Sequence, residues 1–107
     1  MTSFDDRERA AEAKFARDGE MAFRITARRN RLLGLWAAER MALTPAEADA
    51  YATSLVQADF EQADERDVLR KLMGDMTAAG LEVDAAELAQ ALEDRTVEAR
   101  RQLLEAR

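Results

Sequence analysis

With 107 residues and a net charge of −6, the chain has the size of one small domain, and its charge argues against general nucleic-acid binding. The absence of cysteine and histidine excludes disulfides, thiolate metal sites and the usual general base near neutral pH, so we do not expect an enzyme. One proline and four glycines are too few turn formers for an all-β fold, and the composition predicts an all-α domain.

The first 18 residues are dense in charge, with Phe4 and Phe15 as their aromatic side chains. Gly19 follows, and a glycine inside a helix costs about 1 kcal/mol relative to alanine. We therefore predict a helix-prone but mobile N-terminal arm over residues 1–18 and a four-helix bundle over residues 19–107. The acidic start lacks the pattern of a secretion signal, and no apolar run of about 18 residues could span a membrane. A cytoplasmic protein is expected.

The first helix of the bundle is predicted over residues 20–42. Its apolar face repeats at helical spacing and contains the single tryptophan. The residues of that face are Met21, Ile25, Leu32 and Trp36. We expect Trp36 to pack in the core, with a hydrogen-bond partner for its indole N–H.

Three more helix starts follow from capping patterns. Thr44 with Glu47, and Asp84 with Glu87, have the spacing of capping boxes. Asp64 precedes an apolar stripe and is predicted to be the N-cap of the third helix. The positions expected to face the core from these three helices are Ala48, Tyr51, Ala52, Leu55, Val56 and Phe60, then Val68, Leu69, Leu72, Met73 and Met76, then Ala85, Leu88, Leu92, Ala99 and Leu103.

Two helix ends are predicted as well. The first bundle helix should stop near Ala42, just before its apolar face reaches Leu43. Gly80 should end the third helix in the left-handed conformation, which glycine adopts without strain. Leu81 should then contact Met76, as in a Schellman motif.

An arginine cluster lies in the first bundle helix at Arg28, Arg29 and Arg31. Guanidinium groups match phosphate oxygens, but neighbouring helical residues point in different directions and cannot converge on one anion without help. Two interpretations stay open, and the first is favoured: the charges are solvated or paired within the chain, or they form an anion or partner site. Residues 21–43 carry a net charge of +4 and residues 44–63 a net charge of −4, so these stretches should attract each other if they pack antiparallel.

Carboxylates are frequent, but no set of them predicts a metal or acid–base site. A di-metal carboxylate bundle needs histidines from facing helices, and none of these acids lies on an apolar face. We expect solvated side chains at Glu8, Glu12, Asp59, Glu61, Asp64 and Glu65.

Three segments are distinctive: residues 3–8 (SFDDRE), 12–16 (EAKFA) and 27–39 (ARRNRLLGLWAAE). Together they closely resemble the zeta inhibitor subunit of alphaproteobacterial F-type ATP synthases, and the resemblance continues through residues 47–52 and 58–60. It implies a four-helix bundle whose mobile N-terminal segment becomes helical and enters a catalytic interface between alpha and beta subunits, near the gamma stalk. There it blocks ATP hydrolysis and scarcely hinders synthesis.

The same resemblance assigns roles to the arm residues. Phe4 and Phe15 would be apolar anchors. Polar contacts that fix the register would come from Arg7, Glu8, Arg9, Glu12 and Lys14. From the residue pattern alone, an equal alternative is that Phe15 and Phe23 extend the packing of the first helix. Arg17 stands where many members have histidine, and Gly19 stands in a usually acidic stretch, so a pH response and the continuity of the inserted helix are open.

The resemblance also implies that the partners are the alpha, beta and gamma subunits of the synthase. Neither binding to nucleic acid nor direct insertion into a membrane is expected. The free protein would be a monomer, peripheral at the inner membrane through the synthase. No cofactor is expected, although some members are suspected of binding adenine nucleotide weakly, for which Arg28, Arg29 and Arg31 are the candidates. The alternative function is a small adenine-nucleotide-responsive or nucleic-acid-binding module that uses residues 24–31, beginning with Arg24.

Overall fold

Four α-helices form the computed structural model, which describes the backbone of residues 4–61 and 64–105 and the side chains of residues 19–58 and 64–105. In chain order the helices are α1 (Phe4–Arg40), α2 (Pro45–Glu61), α3 (Glu65–Ala78) and α4 (Ala85–Glu105). The described backbone contains no strand, and the predicted all-α, four-helix fold is confirmed.

The first helix is continuous over 37 residues, a length of about 55 Å. Gly19 does not interrupt it, and no atom outside the local backbone lies within 4 Å of the place where a Cβ on Gly19 would stand. Residues 4–18 are therefore helical, as their sequence predicts, and they continue the first bundle helix without a break. The mobility of this segment stays a prediction.

The core lies where α1 packs against α2 and α4, with α3 closing the far side against α4 and α2. Its fully buried large side chains are Leu33, Leu55, Leu72, Met76 and Leu88. The predicted core stripe of α3 is confirmed, since Val68, Leu72 and Met76 are buried and Leu69 and Met73 pack against them. In α4, Leu88, Leu92 and Ala99 are buried as predicted, whereas Ala85 is exposed.

The predicted face of α1 is wrong in its orientation. Met21, Ile25, Leu32 and Trp36 are only partly buried, and the fully buried apolar residues of α1 are Leu33, Ala37 and Ala38. The reason is the contact with α2, because Gly34 lies against Ala52 and small residues allow the two backbones to approach closely. The large side chains flank this contact instead of filling it.

All three predicted helix starts are confirmed. In α2 the Thr44 amide donates to Glu47 Oε1 at 2.9 Å, and the Glu47 amide donates to Thr44 Oγ1 at 3.2 Å. Asp64 accepts from the Arg66 amide at 3.0 Å. Asp84 accepts from the Ala86 amide at 3.1 Å. The second capping box fails only in its glutamate, because Glu87 pairs instead with Arg40 in the last turn of α1.

Both predicted helix ends are confirmed, and the end of α1, for which only a stop was predicted, is a Schellman motif like the end of α3. Gly80 has φ of +87°, and the Leu81 amide donates to the Met76 carbonyl at 3.0 Å. At the end of α1, Ala42 has φ of +58°, and the Leu43 amide donates to the Ala38 carbonyl at 3.0 Å. Alanine thus occupies a left-handed position that favours glycine.

Candidate functional site

The predicted arm residues all lie in the first four turns of α1. Phe4 and Phe15 are separated by eleven residues, which is about three turns and about 16 Å along the helix axis. Both therefore occupy nearly the same angular position about that axis. The side chains of the predicted set lie outside the described part of the structure, so their roles stay predictions: Phe4, Arg7, Glu8, Arg9, Glu12, Lys14 and Phe15.

The stretch of α1 that follows the arm is weakly packed. Between Gly19 and Arg28 every described residue is exposed or only partly buried, and the first buried side chain is that of Arg29. Arg24 pairs with Glu20 at 2.7 Å, but both side chains remain 58% exposed, and such a pair contributes little to stability. The bundle therefore holds α1 firmly only from about its middle onward.

The arginine cluster is distributed among three different partners. Arg28 donates to Gln102 on α4 at 3.1 Å, and Arg31 pairs with Asp49 on α2 at 2.6 Å. Arg29 points into the protein instead. The Arg31–Asp49 pair joins the basic stretch of α1 to the acidic stretch of α2, as their opposite charges predict.

A buried polar pair, Arg29 and Asn30, lies next to the core and was not predicted. Arg29 is 5% exposed and Asn30 is fully buried. Arg29 Nε donates to Asn30 Oδ1 at 3.1 Å, and its guanidinium reaches Glu65 at 3.2 Å. Asn30 Nδ2 has no acceptor among the described residues, and such a buried donor is costly. The signal was the spacing: Arg29 lies one helical turn before the buried Leu33 and about two turns before the buried Ala37, and the wrong choice of face for α1 concealed it.

A cleft of about 530 Å³ opens where α1, α2 and α4 meet at the end of the bundle next to the arm. Arg28 and Arg31 line it together with Arg24, whereas Arg29 does not. Its apolar wall includes Val56 and Leu103. Two of the three predicted anion-binding arginines therefore share one cavity, and the third is committed to Glu65.

Two further contacts tie the helices together. Arg40 lies 5.1 Å from the centre of the Trp36 ring while it pairs with Glu87, and so joins α1 to the start of α4. The Tyr51 hydroxyl donates to Asp75 at 2.8 Å and joins α2 to α3. Burial, together with that hydrogen bond, raises the pKa of Tyr51. Both contacts are structural and lie away from the arm.

Neither a metal-binding cluster nor a membrane-spanning helix is present in the described part of the chain. The described side chains contain no cluster of three carboxylates that could hold a metal ion. Within residues 4–61 and 64–105, no helix is both long and apolar enough to cross a membrane. Asp64 and Glu65 are bound to Arg66 and Arg29, and the side chains of Glu8, Glu12, Asp59 and Glu61 lie outside the described residues.

The chain is similar in sequence and in structure to known proteins. A solved structure, determined by solution NMR, has 40% sequence identity to the chain and a TM-score of 0.71, covering 81% of this chain and 99% of that one. No curated protein gives a significant match. The family model of the ATPase inhibitor subunit zeta matches residues 1–102, which include the predicted arm and all but the last five residues of the predicted bundle. The chain therefore belongs to the ATPase inhibitor subunit zeta family.

Proposed function

We propose that this protein inhibits ATP hydrolysis by F-type ATP synthase, and that the N-terminal part of α1 does so by entering a catalytic interface between an alpha and a beta subunit, near gamma. Membership of the inhibitor family supports a regulatory role and association with the synthase. The observation that carries the mechanism is that α1 extends far beyond the helices that pack against it.

The register of α1 against α4 gives the extent of this overhang. Arg40 pairs with Glu87 near the start of α4, and Arg28 bonds Gln102 near its end. The two helices are antiparallel, so residue numbers rise along α4 as they fall along α1. Continued to the last residue of α4, this register places the end of α4 level with about residue 24 of α1. Since α1 begins at Phe4, it continues for about five turns beyond α4.

A helix that projects from a folded body is suited to act as a wedge. Helical order that is already present lowers the entropic cost of docking. Behind the arm, α1 is packed against α2 and α4, and this bundle is too bulky to follow the arm into a narrow interface. Insertion therefore stops at the arm, which holds the catalytic interface in one conformation and blocks rotation in the hydrolysis direction.

The partners, the location and the contact residues of the arm are proposed from the resemblance to the family. The free protein is a monomer without a cofactor, and it acts at the cytoplasmic side of the inner membrane through the alpha, beta and gamma subunits. Phe4 and Phe15 supply the apolar contacts of the wedge. The charged residues that fix its register are Arg7, Glu8, Arg9, Glu12 and Lys14.

Cross-linking tests the site of insertion. The chain has no cysteine, so Phe15→Cys gives a single attachment point for a short photoactivated cross-linker. We expect covalent products with alpha or beta subunits during ATP hydrolysis. Thr77→Cys, an exposed position at the end of α3, is the control and should give no such product. Equal yields from both variants would contradict insertion of the arm.

A second candidate function is supported by the cleft beside the arm. Arg28 and Arg31 line the same cavity, and guanidinium groups bind phosphate oxygens, so a weak adenine-nucleotide site is the alternative. Calorimetric titration with ATP tests it, with Arg28→Gln as the variant that should weaken binding and Arg70→Gln as the control. A short DNA duplex in the same titration tests nucleic-acid binding, for which the net charge of −6 is unfavourable.

A further inference from the structure

The positive charge of the bundle is not neutralised evenly. Seven of the ten arginines with described side chains pair with a carboxylate: Arg24, Arg29, Arg31, Arg40, Arg66, Arg70 and Arg95. Within the described residues the other three, Arg28, Arg100 and Arg101, have no carboxylate within 4.0 Å, and Arg28 donates to the neutral Gln102. All three lie toward the same end of the bundle, the end from which the arm projects, because Arg28 contacts α4 at Gln102, next to Arg101.

Exposed apolar side chains are found at the same end. Val97 is 60% exposed and Leu104 is 55% exposed. With Arg100 and Arg101 they occupy positions i, i+3, i+4 and i+7 of α4, which form one stripe on a helix surface. We name these four residues the α4 stripe. It faces away from the core, because Leu88, Leu92 and Ala99 form the buried side of the same helix.

The composition of the C-terminal segment strengthens this contrast. Residues 99–107 contain three arginines and one glutamate, in a protein with a net charge of −6. In the α4 stripe, two unpaired guanidinium groups lie between two exposed apolar side chains. This combination is typical of a surface that binds a partner, because arginine is enriched at protein interfaces. An acidic partner would neutralise charges that the protein itself leaves unpaired.

From this surface we infer that the α4 stripe is a second docking site on the F-type ATP synthase, which binds an acidic amphipathic helix next to the interface that the arm enters. The inference rests on the proposed function. Its position supports it, since the stripe runs toward the end of the bundle from which the arm projects, and that end would lie nearest the same partner once the arm is inserted. The arm then provides the inhibition, and the α4 stripe provides part of the affinity.

A charge-matched pair of variants tests this division. The double variant R100Q/R101Q removes the two unpaired charges of the stripe. The control R66Q/R70Q removes two exposed arginines of α3 and changes the net charge equally. Affinity for the synthase and residual hydrolysis at saturation are measured separately with full-length chains. We expect R100Q/R101Q to weaken binding roughly tenfold, about 1.4 kcal/mol, with full inhibition at saturation, and the difference should shrink as salt is raised.

A second variant keeps the test independent of charge. V97S/L104S replaces two exposed side chains, so the fold should be retained, and it should weaken binding in the same direction. If the unchanged chain neither binds nor inhibits the enzyme, the proposed function fails, and this inference with it. If the unchanged chain inhibits but R100Q/R101Q binds as well as R66Q/R70Q, only the inference fails. A dimer in sedimentation equilibrium that R100Q/R101Q dissociates, or binding of the stripe to anionic lipid vesicles, would also overturn it.

Discussion

Gly34 on α1 and Ala52 on α2 are in direct backbone contact. A Cβ on Gly34 would lie 2.7 Å from the Cα of Ala52 and 3.2 Å from its Cβ. Both residues are buried, so this close approach of the two helices lies in the interior of the bundle. This contact fixes the orientation of α1, and with it the direction in which the arm projects.

Gly34→Ala should therefore destabilise the bundle by about 1–3 kcal/mol, the range for forcing an extra methyl group into a packed site. The gain in helix propensity, about 1 kcal/mol, offsets part of the strain. Urea denaturation measures the effect. Gly74→Ala is the matched control, because nothing lies within 4 Å of its Cβ position, and it should raise the free energy of unfolding by about 0.5–1 kcal/mol. If the two variants change stability equally, the close contact is wrong.

Ala42→Gly should stabilise the protein. The residue has φ of +58° and is exposed, and an alanine in the left-handed region costs roughly 1 kcal/mol. The greater entropy of glycine in the unfolded chain reduces the gain, so we expect about 0.5 kcal/mol. Gly80→Ala, at the equivalent position of α3 with φ of +87°, should have the opposite effect in the same thermal denaturation series. A loss of stability in Ala42→Gly would contradict the left-handed helix end.

Stability should vary little between about pH 6 and pH 8 and fall below about pH 4. The chain has no histidine to titrate in the upper range. The hydrogen bond from the Thr44 amide lowers the pKa of Glu47 below its ordinary value of 4.5, and the Arg66 guanidinium and amide lower the pKa of Asp64 below 3.8. Because both folded-state values are depressed, the contribution is complete above the ordinary values and is lost as pH falls through the lowered ones.

Denaturant midpoints measured across this pH range test the two caps. Glu47→Gln keeps a side chain that can complete the capping box but removes its titration, so part of the acid-dependent loss should disappear. A stability that increases on acidification toward pH 4 would show that these two carboxylates are not bound in the folded state.

The local motifs of this fold were predictable, whereas of the long-range contacts only the pairing of the basic stretch of α1 with the acidic stretch of α2 was expected. Thr44, Asp64 and Gly80 satisfy their backbone groups within a few residues, so their roles are visible in the sequence. The partner of Glu87 is Arg40, 47 residues away, and no local pattern indicates it. The buried face of α1 was missed because a search for large apolar residues selects Leu32 and Trp36, whereas the close contact requires glycine and alanine.

In the candidate site, too, one part was predicted from the sequence and the other part was not. The position and helical character of the arm followed from its charge and from the resemblance to the family. The α4 stripe could not be found from the sequence, because Val97 and Leu104 fit a core position as well as a surface position. Leu92 and Ala99 were predicted to face the core, but the structure is needed to show that Val97 and Leu104 on the opposite side are exposed.

Gly19→Ala tests whether the arm acts as part of one rigid helix. The helix passes through Gly19, and a Cβ there meets nothing within 4 Å, so the substitution adds helix stability without strain. The ordering cost of docking should fall by roughly 0.5–1 kcal/mol, which corresponds to about two- to five-fold more potent inhibition. Gly74→Ala should leave potency unchanged. Weaker inhibition in Gly19→Ala would indicate that Gly19 is a hinge.

Deletion of residues 1–18 tests the central claim most directly. The core residues of the described bundle all lie beyond Gly19, so the shortened chain should still unfold in one cooperative thermal transition. ATP hydrolysis by the matching F-type ATP synthase is measured with the full-length and the shortened chain over the same concentration range. We expect that the full-length chain stops hydrolysis and that the shortened, folded chain does not. Full inhibition by the shortened chain would contradict it.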